Sequence, residues 1–306
     1  MRRDDANSDR WSHDGPRVDD RGGGLLPSAH VTRAKRWSLW LITASMALII
    51  GLKSHGGPVP GVPWHALGWP LLAAGLVLAA RSRIRNWLKT CVLLAYLIAV
   101  LFVTRIDGDT GDAHVVELVI ALGLGILIVP ALLARHWLRA PLDYAWLSGR
   151  WSLKMWLWLP LGFVLAFGFL WLYFNVLTPE LHHSWPLPVG TAEGRTEALW
   201  RLFWGCNFVG VWDELAFINL VFVLLHRQFA FVESNVAQAV FFTSFLHEMA
   251  FVGWGPVVIY LFALIQGLTY KRTGSLLYIV VLHLMIDSIL FYMIVNRWYP
   301  GWGWHP

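Results

Sequence analysis

The stretch VLHLMIDSIL, residues 281–290, combines a strongly apolar segment with two titratable side chains, His283 and Asp287. It lies in an apolar run over about residues 275–296, which is long enough to cross a bilayer as a helix. Ionisable groups inside such a helix are costly, and they usually face the interior of a helical bundle. A spacing of four residues places both side chains on one helix face, where Asp287 can orient the imidazole or complete a shared site.

The whole chain has the composition of a membrane protein. Of its 306 residues, 57% are hydrophobic and 14% are charged, whereas charged residues make up about 25% of an ordinary soluble domain. Several apolar runs reach the length of a membrane-spanning helix. We predict an all-α fold, a polytopic transmembrane helical bundle of eight or nine spans, at about 37–52, 63–80, 88–104, 115–134, 155–177, 203–226, 235–252, 255–270 and 275–296.

Basic residues predict the orientation of these spans. If the spans alternate from a cytoplasmic N-terminus, most of the 24 Lys and Arg residues fall on cytoplasmic segments, as the positive-inside rule requires. The net charge of +5 is explained in this way and does not indicate a nucleic-acid partner. We therefore predict an integral protein of the plasma (inner) membrane, with the lipid bilayer as a partner and a cytoplasmic N-terminus.

The polar and apolar segments divide the chain into three parts. Residues 1–36 are polar and predict a disordered cytoplasmic tail. Residues 37–177 predict an N-terminal transmembrane bundle of about five spans. After a long loop, residues 196–296 predict a core of about four helices, and the polar residues inside the spans are concentrated there.

Three spans of this core carry ionisable residues away from their ends. They are Asp213 and Glu214 in WDELAFINL, His247 and Glu248 in FLHEMAF, and His283 with Asp287 in the opening stretch. At ~1.5 Å of rise per residue, Glu214, His247 and Asp287 each lie ~18 Å from the predicted cytoplasmic end of their helix. Three helices therefore bring ionisable groups to one membrane layer, which favours a shared site over independent packing contacts.

A carboxylate and two histidines in one layer permit two kinds of chemistry. Glu214, aided by His247 and His283, could activate water directly as a general base. The same three residues could instead bind a zinc ion that lowers the pKa of its bound water. The histidines come from different helices, so the pattern leaves the cofactor open between zinc and none.

The order of these residues also resembles a known family. An acidic pair, then a His, then a His followed four residues later by Asn or Asp is similar to the motifs of the CAAX protease and bacteriocin-processing family of intramembrane endopeptidases. The run GLTYKRTGSLLYIVVLHLMID, from Gly267 to Asp287, carries the closest part, with an Arg-Thr-Gly-Ser turn before the helix. The resemblance covers about residues 196–296.

The resemblance implies a role for each residue. Glu214 would activate the attacking water, while His247 and His283 would polarise the carbonyl or move protons. Asp287 would orient the imidazole or donate a hydrogen bond, and Asp213 would support Glu214. The expected reaction is hydrolysis of a peptide bond within the membrane, and the expected partner is a peptide or membrane-protein substrate.

The sequence departs from the family pattern at several positions, which keeps other functions open. Ile218 stands where the family has an Arg, and Asp287 replaces the commoner Asn. The first alternative is a catalytically weak or inactive membrane scaffold or immunity-type protein that keeps the fold. The second is a proton-coupled transporter, because buried carboxylates and histidines also build proton relays.

Overall fold

The computed structural model describes residues 29–56, 62–109, 111–140, 142, 151–187 and 192–301. Within these ranges the predicted all-α class is confirmed, since the secondary structure is helical and contains no β-strand. We label the longer helices α1 (Ala29–Ile49), α2 (Trp64–Arg81), α3 (Arg85–Val103), α4 (Asp112–His136), α5 (Leu153–Leu177), α6 (192–226), α7 (Phe231–Met249), α8 (Gly255–Thr273) and α9 (Leu276–Trp298). A short 3-10 helix, Pro179–Ser184, lies between α5 and α6.

Five helical segments are long and apolar enough to cross a membrane, which indicates an integral membrane protein. They are α3, α4, α5, the part of α6 from Gly194 to His226, and α9. The other four predicted spans are helices as well, but they do not meet the same measure of length and apolarity. In α7 the reason is its polar content, which includes Asn235 and Gln238. The count of eight or nine spans is therefore not confirmed.

The predicted three-part division of the chain is only partly covered by the described residues. Most of the tail predicted over residues 1–36 lies outside them. Helix α1 begins at Ala29 and so includes the last residues of that predicted tail. The boundaries of the two transmembrane parts stay a prediction.

Contacts at the helix ends indicate an up-and-down arrangement. Lys35, near the start of α1, donates from Nζ to the carbonyl oxygen of Gln228 in the turn between α6 and α7, at 2.6 Å. Lys271, near the end of α8, places Nζ over the ring of Phe231 at 4.3 Å from its centroid. The ends that strict alternation predicts to be cytoplasmic therefore lie together at one end of the bundle.

Helices α7 and α8 are joined by side-chain amides that bond to backbone carbonyls. Asn235 donates from Nδ2 to the carbonyl oxygen of Leu264 at 2.9 Å, and Gln238 donates from Nε2 to that of Ala263 at 2.8 Å. Gly267 permits this close approach, because a β-carbon there would stand 1.9 Å from Asn235 Oδ1. Such bonds hold helices together where the surroundings are apolar, and here they fix α8 beside the core.

Helix α9 starts at a well-defined turn, in the run that resembled the known family. Gly274 ends α8 in the left-handed conformation, with φ of 61°, which glycine adopts without strain. Ser275 then caps α9, since its Oγ accepts a hydrogen bond from the Tyr278 backbone N–H at 3.2 Å. The Tyr278 hydroxyl donates to the Met155 carbonyl oxygen at 2.9 Å. This first turn of α9 is thereby attached to α5.

Candidate active site

The acidic pair lies where α6 changes its winding. Helix α6 is α-helical up to Asp213 and π-helical from Glu214 to Phe222. Short π-helical segments in α-helices are frequent at functional sites. Both carboxyl groups are buried inside the bundle, with Glu214 at 0% exposure. Trp212 anchors the segment, because its indole N–H donates to the Leu122 carbonyl oxygen in α4 at 2.9 Å.

Glu214 is joined to two other helices through a single oxygen. Its Oε1 lies 2.6 Å from Nδ1 of His283 in α9 and 2.8 Å from Nε2 of Gln266 in α8. The amide of Gln266 donates to this oxygen, and one proton lies between Oε1 and the imidazole. Hydrogen bonds to an ionised group are about twice as strong as those between neutral groups. Glu214 is therefore held in one orientation by partners on both neighbouring helices.

The other nitrogen of His283 faces two further carboxyl groups. Nε2 lies 3.7 Å from Oδ1 of Asp287 and 4.0 Å from Oδ2 of Asp213. All four side chains are buried, and three ionised carboxylates in a dry site would repel one another strongly. One imidazole among three carboxyl groups is chemically able to accept a proton from one of them and pass it to another.

Small and aromatic side chains shape the surroundings of His283. Gly210 lies one helical turn before Glu214, and its missing side chain leaves the space that the Asp287 carboxyl group occupies. The Phe242 ring stacks near the imidazole, with centroids 6.0 Å apart and planes at 26°. The Phe262 ring meets it edge-on at 5.2 Å. The imidazole is thus packed against two aromatic rings.

Several buried polar atoms of the site have no hydrogen-bond partner among the residues that the structure describes. They are Asp213 Oδ1, Glu214 Oε2, Gln266 Oε1 and Asp287 Oδ2. Buried polar atoms are nearly always paired with protein groups or with water. Four unpaired acceptors on four neighbouring side chains therefore mark a place that can take water or the polar backbone of a bound peptide.

The site opens onto a cavity of about 510 Å³. Asp213, Gln266, His283 and Asp287 form a polar patch in its lining. The remaining lining is predominantly apolar and comes from α4 to α9, with Leu122, Phe169 and others facing inward. Pockets of this size, apolar with a few convergent polar groups, are typical of substrate-binding sites.

His247 is the predicted site residue that the structure does not bring to this cluster. Its Nδ1 lies 3.0 Å from the carbonyl oxygen of Phe251, and its ring packs beside His55 with centroids 4.9 Å apart. Among the described residues that line the cavity, the preceding residue Leu246 is included and His247 is not. Neighbouring residues of a helix point about 100° apart. His247 therefore lies at the predicted depth along α7 but on a different face from the cavity-lining Leu246.

The three predicted zinc ligands are not brought together as a set, although Glu214 and His283 are in contact. Glu214, His247 and His283 do not form a group whose ligand atoms approach one another within 4.8 Å among the described residues. The residues that do form such a group are Glu180, His182 and His183, which lie outside this site. A zinc ion bound by the predicted set stays a prediction to which the side-chain geometry adds no support.

Gln266 and Gly210 belong to the site, and sequence reasoning missed both. The sequence signal for Gln266 is a single amide in the apolar run YLFALIQGL, which is costly in a membrane helix unless it is bonded. A search restricted to ionisable groups overlooks it. Gly210 has no comparable signal, because a glycine in a membrane helix is common.

Comparison with known protein families matches part of the chain. Residues 195–289 match the family model described as "Type II CAAX prenyl endopeptidase Rce1-like". No curated protein and no solved structure matches the chain significantly. The matched segment includes Asp213, Glu214, Gln266, His283 and Asp287. The resemblance to CAAX-type intramembrane endopeptidases that the motifs predicted is thus confirmed, over the segment of the chain that carries every polar side chain of this site.

Proposed function

We propose that the protein is an intramembrane endopeptidase in which Glu214 activates a water molecule for attack on a peptide bond. The observation that carries the proposal is the contact of 2.6 Å between Glu214 Oε1 and His283 Nδ1 beside the cavity. The family match supports the reaction class at the level of a protease.

Glu214 has the properties of a positioned general base. Oε1 is held by His283 and Gln266, whereas Oε2 has no partner among the described residues. Glu214 does not itself line the cavity, so the proposal requires a water molecule that passes the lining side chains and donates to Oε2. This water loses a proton to Oε2 as its oxygen attacks the peptide carbonyl carbon. The proton then passes to the amine that leaves when the C–N bond breaks. His283, hydrogen-bonded to the same carboxyl group, can hold this proton during the exchange.

Asp287 and Asp213 lie on the opposite side of the imidazole and line the cavity. A protonated carboxyl group at either position can donate a hydrogen bond to the oxygen on which negative charge develops. Asp287 is the closer of the two to His283 Nε2, at 3.7 Å. We assign the oxyanion-facing role to Asp287, and we assign to Asp213 the role of keeping a proton available on His283.

The cavity walls indicate the substrate class. Most of the lining is apolar, and the charged residues Asp107, Asp109 and Arg201 lie in it besides the patch around His283. A bound segment would therefore place apolar groups along most of the walls and one peptide bond at the patch around His283. We therefore propose a peptide or a membrane-protein segment as substrate, reached from the bilayer. The protein itself would lie in the plasma membrane with its N-terminus in the cytoplasm, in line with the charge pattern of the helix ends.

A second function is favoured by one residue. Ile218 occupies the position of the family's motif arginine, and it is fully buried in an apolar cluster with Tyr270, Leu276 and Ile279. No guanidinium can act at this position. The alternative is a protein that keeps the fold and binds a partner without cleaving it, as an inactive scaffold or immunity-type protein would.

The test is cleavage by the full-length protein, purified and returned to liposomes. A library of apolar and membrane-derived peptides is incubated with the wild type, with Glu214→Gln and with His283→Ala, and new termini are identified by mass spectrometry. Glu197→Gln is the matched control, since Glu197 is an exposed glutamate on the same helix and is not among the residues that line the cavity. Parallel samples contain a chelator, which tests for a metal requirement.

The two functions predict different results. The protease predicts cleavage by the wild type and by Glu197→Gln that both site variants reduce by at least 100-fold, a loss in the range of one general acid or base. Cleavage that survives Glu214→Gln would overturn the assigned role of Glu214. A folded wild type that cleaves nothing in the library would instead favour the scaffold.

A further inference from the structure

A second cluster of chemically active side chains lies outside the cavity, on the 3-10 helix Pro179–Ser184. We propose that Glu180, His182 and His183 form a binding site for a divalent transition-metal ion of the zinc type. One ligand atom from each of the three lies within 4.8 Å of the other two. His183 Nε2 already stands 2.7 Å from Glu180 Oε2. This site is separate from the proposed catalytic residues and does not depend on their function.

The orientation of His182 is the second observation that supports a metal. Its Nδ1 lies 3.1 Å from the carbonyl oxygen of Pro179, and because a carbonyl oxygen only accepts, Nδ1 must carry the proton. In the neutral imidazole, Nε2 is then the unprotonated nitrogen, which is the form that binds a metal. Histidine ligands of metal ions commonly donate their other ring N–H to a backbone carbonyl or carboxylate in this way.

The backbone that carries the cluster is attached to the end of α9. The indole N–H of Trp298, at the end of α9, lies 3.2 Å from the His182 carbonyl oxygen and 3.0 Å from that of Trp185. The Trp298 ring also meets both imidazoles edge-on, with centroids 5.3 and 5.6 Å away. Ligands held on an ordered backbone lose little conformational entropy when they bind. The two histidines are therefore preorganised on the end of α9.

The donor set and the exposure decide the class of ion. Two imidazoles and one carboxylate suit zinc and neighbouring transition metals, with water in the fourth position. Calcium and magnesium prefer oxygen donors and are disfavoured. The side chains of Glu180 and His183 are 77% and 58% exposed, so an ion can enter from solvent. An exposed ion pair alone would explain the contact between Glu180 and His183, but it would not explain the prepared Nε2 of His182.

Such an ion would act on the border of the cavity. Trp185 lines the cavity directly after the 3-10 helix. A metal that crosslinks Glu180, His182 and His183 would stiffen this border, and Trp298 would extend the effect to the end of α9. The predicted consequence is stabilisation of the folded protein by the bound ion, as for any ligand that binds only the native state.

The experiment uses the full-length protein without an affinity tag, in detergent micelles, with Zn²⁺ alone as the titrant. Calorimetry gives the stoichiometry and affinity, and Co²⁺ gives a visible absorption spectrum that reports the coordination geometry. The variants are His183→Ala and Glu180→Gln, both at exposed side chains. His136→Ala is the matched control, because His136 is an exposed histidine at the end of α4.

We expect one Zn²⁺ ion to bind with micromolar or tighter affinity and to raise the unfolding temperature. His183→Ala should weaken binding at least tenfold, whereas His136→Ala should leave it unchanged. Unchanged unfolding temperatures of the variants without metal would show that they remain folded. Equal binding by His183→Ala and His136→Ala, or no binding tighter than millimolar, would overturn the site. Glu214→Gln should bind Zn²⁺ like the wild type, so a failure of the proposed protease function would leave this result intact.

Discussion

Gly210 and Asp287 are so close that a β-carbon at position 210 would stand 1.8 Å from Asp287 Oδ2. The same β-carbon would lie 3.4 Å from Cδ2 of His283. Helix α6 therefore contributes to the site twice, through the side chains of Asp213 and Glu214 and through the absent side chain of Gly210. The position of the Asp287 carboxyl group depends on this gap.

The first prediction follows from this contact. In Gly210→Ala the Asp287 carboxyl group must turn away from its position beside His283 Nε2. A displacement of about 1 Å in a catalytic group can cost about 100-fold in rate, so we expect cleavage to fall by about 10- to 100-fold. Because Asp287 Oδ2 is the end of a side chain that can rotate, the free energy of unfolding should change by less than about 2 kcal/mol.

Gly168→Ala is the control for this variant. Gly168 lies in α5, and a β-carbon there would meet nothing within 4 Å. The two variants make the same change in a helix and share its gain in helix propensity, about 1 kcal/mol. Cleavage rates and unfolding midpoints are compared for both. Full activity in Gly210→Ala would contradict a role for the position of Asp287.

The second prediction concerns Gln266 as a positioning residue. Gln266→Leu keeps the approximate size of the side chain and removes the donor to Glu214 Oε1. A hydrogen bond to a charged group contributes about 1.5–3 kcal/mol, so we expect kcat to fall by about 10- to 100-fold with little change in KM. Steady-state kinetics on one identified peptide give both constants.

Thr269→Val supplies the matched control for Gln266→Leu. Thr269 lies one turn further along α8, where its hydroxyl bonds the Ile265 carbonyl oxygen at the surface. The Thr269→Val substitution removes a polar group from the same helix at a position outside the site. A change in KM alone, or an equal fall in kcat in both variants, would mean that Gln266 does not act through Glu214.

The third prediction separates the two histidines. His283 contacts Glu214 directly, whereas the ring of His247 contacts the Phe251 carbonyl and His55. We expect His283→Ala to reduce cleavage by more than 100-fold, which is typical of a lost acid or base, and His247→Ala to reduce it by less than tenfold. Rates are measured on the same substrate with both variants shown to be folded. Equal losses of cleavage in the two variants would mean that His247 also takes part in the reaction, as the sequence motif predicts.

The fourth prediction tests the departure at Ile218. Ile218→Arg restores the family's residue type at this position, but the position is fully buried in an apolar cluster. A buried, unpaired charge costs several kcal/mol, so we expect this variant to be destabilised by at least about 3 kcal/mol rather than activated. Thermal or denaturant unfolding measures the difference, with Ile218→Val as the conservative control at about 0.5–1.5 kcal/mol. A stable, more active Ile218→Arg would show that the surroundings can accept the motif arginine.

Much of this protein follows from local sequence rules. Composition and apolar run length predict membrane helices, because a spanning segment must satisfy its own backbone hydrogen bonds. The spacing of His283 and Asp287 predicts a shared face, because four residues complete about one helical turn. The carboxyl groups of α6 and the polar face of α9 were therefore identified from the sequence alone.

Packing between helices decided the rest. The sequence alone determined which helices carry ionisable groups and how deep those groups lie. It did not determine the rotation of each helix about its axis, so His247 was assigned to the cluster although its ring contacts Phe251 and His55. Only the tertiary structure placed Gln266 beside Glu214 and Gly210 beside Asp287. A neutral amide and a glycine do not identify a site by residue type, because their role depends on which side chains pack against them.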